Sequence, residues 1–163
     1  MHDFWLGFQL LLLLGAANNA PIAAKRMLGA RWSSPLDGGL RLRDGRPLLG
    51  PSKTVRGVVA SVATCTLCAW LFGSAPGIGA LIAAGAMAGD ALSSFAKRRL
   101  AIEPSGRALG IDQIPESLLP LLAVQSLLGL SFLQVAAITA SFVLLEIPLA
   151  RLAHRLGLRD RPY

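Results

Sequence analysis

Residues 57–90 read GVVASVATCTLCAWLFGSAPGIGALIAAGAMAGD, a stretch without a charged side chain until its last position, Asp90. Glycine, alanine and aliphatic residues dominate it, and Gly73-Ser74-Ala75-Pro76 breaks it near the middle. Each half is long enough for a helix approaching the thickness of a bilayer core, about 17 to 25 residues. The stretch therefore predicts a pair of membrane helices over 58–73 and 76–96 joined by a tight turn. Asp90 falls within the second, two turns before Lys97-Arg98-Arg99. A carboxylate where lipid meets water is costly without a partner or a metal, so its position points to chemistry rather than stability.

The remainder of the chain follows the same pattern. Of its 163 residues 53% are hydrophobic and only 15% charged, with a mean hydropathy of +0.56, which makes the bilayer the expected solvent. Further apolar runs predict spans over 4–24, 114–130 and 132–153, the last two divided at Gly129-Leu130-Ser131, with Pro120 in the first turn of the former. The sixteen Lys and Arg residues test the count independently. Eight fall in 25–56, four in 97–116 and four after Leu149, all on one side if there are five spans and an outside N-terminus. The expected fold is all-α: a polytopic membrane helical bundle, one domain over 1–163, about five transmembrane helices, N-terminus outside and C-terminus cytoplasmic. Cytoplasmic loops then cover 25–57 and 97–113. The basic pI of 10.7 serves orientation, anionic lipid and phosphates, and gives no argument for nucleic acid. The first apolar run lacks a positive n-region and is followed by positive charge, as a retained anchor would be.

Several local features sit on this frame. Asn18 and Asn19 precede Pro21 near the end of the first span, where amides either bond a neighbouring helix or line a cleft. Gly85 and Gly89 in GxxxG spacing predict close approach of another helix. Asp90, Ser94 and Lys97 form one polar stripe at i, i+4 and i+7. Cys65 and Cys68, mid-span with no histidine nearby, are packing residues rather than a metal or redox pair. In the proline- and glycine-rich loop, Asp44-Gly45 between Leu42 and Leu48 predicts a tight hairpin turn, and the basic tail after Arg151 is expected on the membrane surface.

Gly50-Pro51-Ser52-Lys53-Thr54-Val55-Arg56-Gly57 brings Gly, Lys and Thr to the start of a helix whose N-terminus can face an anion. It does not fit the P-loop spacing. Asp90 and Asp112 can return to the same interface across the intervening loop. Hard oxygen ligands without a histidine cluster, beside phosphate-binding cations, point to Mg²⁺. The structural alternative pairs Asp90 with Lys97 and Asp112 with Arg107 as solvated loop charges.

Asn19-Ala20-Pro21, Pro35-Leu36-Asp37-Gly38-Gly39, Asp44-Gly45-Arg46-Pro47-Leu48-Leu49-Gly50 and Lys53-Thr54-Val55-Arg56-Gly57 together resemble the CDP-archaeol synthase family. The likeness continues through Gly89-Asp90, Ser94-Phe95, Lys97-Arg98-Arg99, Asp112-Gln113 and Leu156-Gly157-Leu158. Family members commonly differ at Pro51-Ser52, and this chain is less polar over Glu146 to Ala150. The resemblance implies a five-span, Mg²⁺-dependent nucleotidyltransferase of the cytoplasmic membrane, with its active site facing the cytoplasm. It would carry cytidylyl from CTP to a glycerolipid phosphate, either a dialkylglycerol phosphate or phosphatidic acid, giving CDP-lipid and pyrophosphate. It also implies roles: Asp90 and Asp112 on Mg²⁺; Lys53, Thr54 and Arg56 on nucleotide phosphates; Lys97, Arg98 and Ser94 on lipid phosphate or CTP; Asn18 and Asn19 along the lipid cleft. A homodimer is left open. Competing readings are a small transporter or accessory subunit, and a CDP-alcohol phosphotransferase, whose acidic run is missing after Asp37-Gly38.

Overall fold

The computed structural model describes residues 2–102, 111–155 and 157. It has five helices in chain order: α1 His2–Leu28, α2 Val55–Leu71, α3 Pro76–Arg99, α4 Gln113–Leu128 and α5 Phe132–Arg155. Among the described residues there is no strand, only two isolated bridges in the loop between α1 and α2. The all-α bundle expected from the sequence is the fold observed. α1, α3 and α5 are long and apolar enough to cross a membrane, whereas α2 and α4 have 17 and 16 residues. At 1.5 Å per residue, seventeen residues still reach about 26 Å.

Successive helices run antiparallel, as their contacts show. Ser61 donates its hydroxyl to the Ala17 carbonyl at 3.0 Å, Cys65 donates to the Leu13 carbonyl at 3.5 Å, and Gln9 reaches the Phe72 carbonyl at 3.4 Å. The first of these explains why α1 continues through Pro21 to Leu28. Proline cannot donate to the carbonyl four residues back, and that orphaned Ala17 carbonyl finds Ser61 instead. Pro120 stands in the interior of α4, seven residues after Gln113, rather than in the expected first turn, and packs there against Gly85.

The core is built from small side chains and close backbones. A Cβ added to Gly79 would lie 2.2 Å from the Cys65 carbonyl oxygen, one on Gly85 2.6 Å from the Pro120 Cα, and one on Gly89 2.2 Å from the Pro115 carbonyl oxygen. The expected face of Gly85 and Gly89 thus meets α4, and α3 is held between α2 and α4. Lipid tails offer no hydrophobic incentive for helices to associate, so such backbone proximity carries the packing. Both cysteines are free, and Cys65 is buried in this core. The outside is apolar: Trp70, Leu133 and Leu144 are more than 60% exposed, and α5, the most apolar of the three long helices, is the least buried. A surface of that kind is matched by lipid.

The turn into α5 is closed by Gly129 in the left-handed region and by a reciprocal cap in which Ser131 Oγ accepts from the Gln134 amide and Gln134 Oε1 from the Ser131 amide. This antiparallel order brings the C-terminal ends of α1, α3 and α5 and the N-terminal ends of α2 and α4 to one end of the bundle. Arg26 at the end of α1 donates to the Gly157 carbonyl beyond α5, at 2.7 Å. The candidate site lies at this end.

Candidate active site

The loop between α1 and α2 is short of secondary structure but well tied. Leu36 N–H donates to the Lys53 carbonyl at 2.7 Å and Val55 N–H to the Ser34 carbonyl at 3.1 Å, which pins the two ends of the loop together. The expected turn at Asp44-Gly45 is present: Leu42 and Leu48 amides donate to Arg46 and Leu40 carbonyls, with Gly45 at φ 74°. Asp37 organises the centre, accepting from the amides of Gly39, Leu49 and Gly50 at 2.9, 2.8 and 3.4 Å. Burial raises its pKa, but those three donors outweigh it and hold the carboxyl below the ordinary range. Asp44 is also held low, by the Arg46 amide and then the Arg99 guanidinium. Arg99 in turn donates to the Pro47 carbonyl at 2.9 Å and lies over the Phe95 ring, so α3 grips the hairpin.

This strapped loop delivers Lys53 to α3. Its ammonium donates to the Asp90 carboxylate in an ion pair whose side chains are 19% and 22% exposed. Thr54 caps α2, its hydroxyl accepting from the Gly57 amide at 3.2 Å. Beside the ion pair lies a small, open cleft with Pro21, Leu36, Val58 and Met87 as apolar wall and Lys53 and Asp90 as its charged groups. A half-apolar, half-charged opening at the end of an apolar bundle suits an amphipathic phosphate ester.

Glu116 completes the cluster from α4. It is 8% exposed, its carboxyl group lies beside that of Asp90, and Lys53 and Glu146 of α5 act on it electrostatically. The sequence reading put Glu116 just inside the 114–130 span and gave it no role. The structure places it in the first turn of α4, directly beside Gly89, where α3 and α4 nearly touch. A signal was available: Glu116 is four residues after Asp112, so both lie on the same helical face.

The other candidates divide between the site and its scaffold. Lys97 Nζ lies 2.7 Å from Asp112 Oδ1, with the lysine side chain 9% exposed. Asp90 thus pairs with Lys53, and Lys97, the partner the structural alternative gave it, faces Asp112 instead; Arg107, the alternative's partner for Asp112, lies outside the described residues. Along α3 the two pairs are seven residues apart, about 10 Å of helical rise. Ser94 and Arg98 are buried on the same helix. Arg56 is turned to scaffolding: its guanidinium donates to the carbonyls of Gly29 and Arg31 at 2.8 and 2.6 Å. Asn19 donates to the Gly15 carbonyl of its own helix at 2.8 Å and is exposed. Asn18, one turn before the cleft-lining Pro21, has a buried side-chain nitrogen without a hydrogen-bond partner.

Among the described residues no three His, Cys, Asp or Glu side chains converge to enclose a metal ion. Mg²⁺ does not need three, since one or two carboxylates plus substrate phosphates and water satisfy it. Asp90 with Glu116 against it offers hard oxygen donors of the right kind, and no thiolate or imidazole stands in the cleft lining to make a zinc-like site.

Similarity to characterised proteins is extensive. The family model for CarS-like CDP-archaeol synthase matches residues 75–163. A CDP-archaeol synthase of Hyperthermus butylicus is 35% identical, the match covering 91% of this chain and 89% of that protein. Another, of Aeropyrum pernix, is 38% identical over 94% and 90%. A solved structure of an intramembrane enzyme for archaeal membrane lipid biosynthesis superposes with a TM-score of 0.66 at 34% identity, covering 85% of this chain and 90% of that one. Together with the three long apolar helices, this makes the chain an integral membrane protein.

Proposed function

The chain belongs to the CDP-archaeol synthase family, and from that premise we propose that it transfers the cytidylyl group of CTP to the phosphate of a membrane glycerolipid. An oxygen of the lipid phosphate attacks the α-phosphorus of CTP, the bond from that phosphorus to the β-bridging oxygen breaks, and pyrophosphate leaves with the electron pair. The attacking phosphate is already ionised near neutral pH, so the protein supplies position and charge neutralisation rather than a general base. The observation that carries this reading is the Lys53–Asp90 pair at the mouth of a cleft whose other wall is apolar.

In this reading Lys53 takes a phosphate oxygen once substrate is present, and Lys97, steadied by Asp112, neutralises a second phosphate further out along α3. Asp90 and Glu116 would hold Mg²⁺, with Asp112 one turn away, and the ion would supply Lewis-acid charge neutralisation for the phosphates. Arg56 contributes by fixing the loop start to the end of α1. Asn18 offers its amide where the lipid's glycerol region enters. The basic residues at this end orient it toward the cytoplasm by the positive-inside bias, with five helices spanning the membrane.

Detergent-purified protein given CTP, Mg²⁺ and either a dialkylglycerol phosphate or phosphatidic acid should release pyrophosphate and form CDP-lipid, and the better acceptor identifies the lipid. Asp90→Asn should abolish turnover while leaving the elution profile and thermal midpoint intact. Full turnover by that variant would remove Asp90 from the chemistry.

A further inference from the structure

Asp90 is shared by two demands. Its carboxylate is ion-paired to the Lys53 ammonium, and in the reading above the same oxygens hold a divalent cation. Both cannot have them at once at full strength. Glu116 lies against Asp90 and within the field of Lys53, and Glu146 adds further negative charge. Carboxyl groups this close stay together by sharing a proton or by taking up positive charge, and Lys53 is the cation that reaches Asp90.

We propose that Lys53 is an exchangeable counter-ion: it neutralises the Asp90–Glu116 pair until the nucleotide and its divalent cation arrive, then yields Asp90 to the metal and moves onto a phosphate. The geometry permits the move. The Lys53 backbone is fixed, its amide donating to the Gly50 carbonyl and its carbonyl accepting from Leu36, while its long side chain lines the cleft together with Ser52, Thr54 and Gly57. Only the ammonium has to travel. The carboxylates stay neutralised throughout, and the positive charge released from them goes to the phosphates, where charge builds during transfer. The inference rests on the cytidylyltransferase reading.

Exchange makes a prediction of unusual sign. A lysine that merely binds phosphate has no effect on metal affinity without nucleotide, and a lysine that merely holds the site together lowers it when removed. Under exchange, removing Lys53 raises it. The experiment measures free Mn²⁺ by electron paramagnetic resonance as the ion is titrated into detergent-purified wild type, Lys53→Met, Lys53→Arg and Asp90→Asn, with and without the non-transferable analogue α,β-methylene CTP. Without nucleotide Lys53→Met should bind Mn²⁺ about tenfold more tightly, between what exposed and buried ion pairs give, and Lys53→Arg should stay at the wild-type value. With the analogue the advantage of Lys53→Met should vanish. Lys53→Gln provides the same comparison should the methionine variant purify poorly. Equal or weaker Mn²⁺ binding by Lys53→Met overturns the exchange. If Asp90→Asn loses Mn²⁺ while Lys53→Met is unchanged, exchange alone fails; if Asp90→Asn binds like wild type, the metal assignment beneath it fails too.

Discussion

Gly89→Ala is the most economical challenge to the way the site is assembled. A methyl group there would sit 2.2 Å from the Pro115 carbonyl oxygen, 2.4 Å from its carbon and 2.7 Å from the Glu116 nitrogen. All three are backbone atoms, so no side chain can swing aside. Relief requires α3 and α4 to separate by about 1 Å, given ordinary C···O contacts near 3.3 to 3.6 Å. Overpacking of this kind costs about 1 to 3 kcal/mol, offset by about 1 kcal/mol because alanine is the better helix former. The loss of stability is therefore modest, but the loss of activity is not. Separation at Gly89 pulls Glu116 from Asp90, and a misplacement of that size in a catalytic arrangement costs about a hundredfold in rate. Gly77→Ala in the same helix is the control, since nothing lies within 4 Å of its added methyl. CDP-lipid formation, assayed well below each variant's thermal midpoint, should fall about a hundredfold for Gly89→Ala and stay unchanged for Gly77→Ala. Wild-type activity and midpoint in Gly89→Ala would refute the close α3–α4 contact and, with it, the placement of Glu116.

Other tests address the loop and the orientation. Asp37→Ala leaves the Leu49 amide without its acceptor, a loss of about 1 kcal/mol, and should speed limited proteolysis between residues 29 and 54. Because the Asp37 pKa is lowered from its ordinary 3.8, its contribution is complete above that value and disappears as pH falls through the lower folded pKa. Cleavage of wild type should therefore be insensitive to this group from pH 5 to 8; a change there that Asp37→Ala removes would contradict the assignment. Arg99→Ala should free the hairpin at 40–48 more than Asp44→Ala, since it also loses the Pro47 carbonyl and the Phe95 ring, and equal cleavage rates would show that the Asp44 contact alone holds it. Reporter fusions should place residue 75 outside and residues 45, 105 and 163 inside; an outside signal from the tail would break the five-span arrangement.

Helices were legible wherever a local rule was enough. Apolar length located all five, Gly73 and Gly129 located the turns, and the Gly85/Gly89 spacing announced a close neighbour. The hairpin at Asp44-Gly45 and the packing role of Cys65 were equally local. Helix ends were less so. α1 outlasts Pro21 because Ser61, forty positions away along the chain, takes up the freed carbonyl, and no property of α1 itself reports that.

What stayed hidden is the pairing of charges, which depends on helix register rather than on composition. Antiparallel α3 and α4 are locked where Gly89 meets Pro115. From that point Asp90 faces Glu116, and one to two turns outward Lys97 faces Asp112. A slip of one residue in α4 would turn Glu116 by about 100°, the angle per residue of a 3.6-residue turn, and both rungs would be lost together. The glycine that sequence reading assigned to packing and the carboxylates it assigned to chemistry are thus parts of one device. Glycine at 89 lets the two backbones approach closely enough for the Asp90 and Glu116 carboxyl groups of neighbouring helices to meet, and the strapped loop brings the Lys53 ammonium to Asp90 as compensating positive charge in a low-dielectric setting.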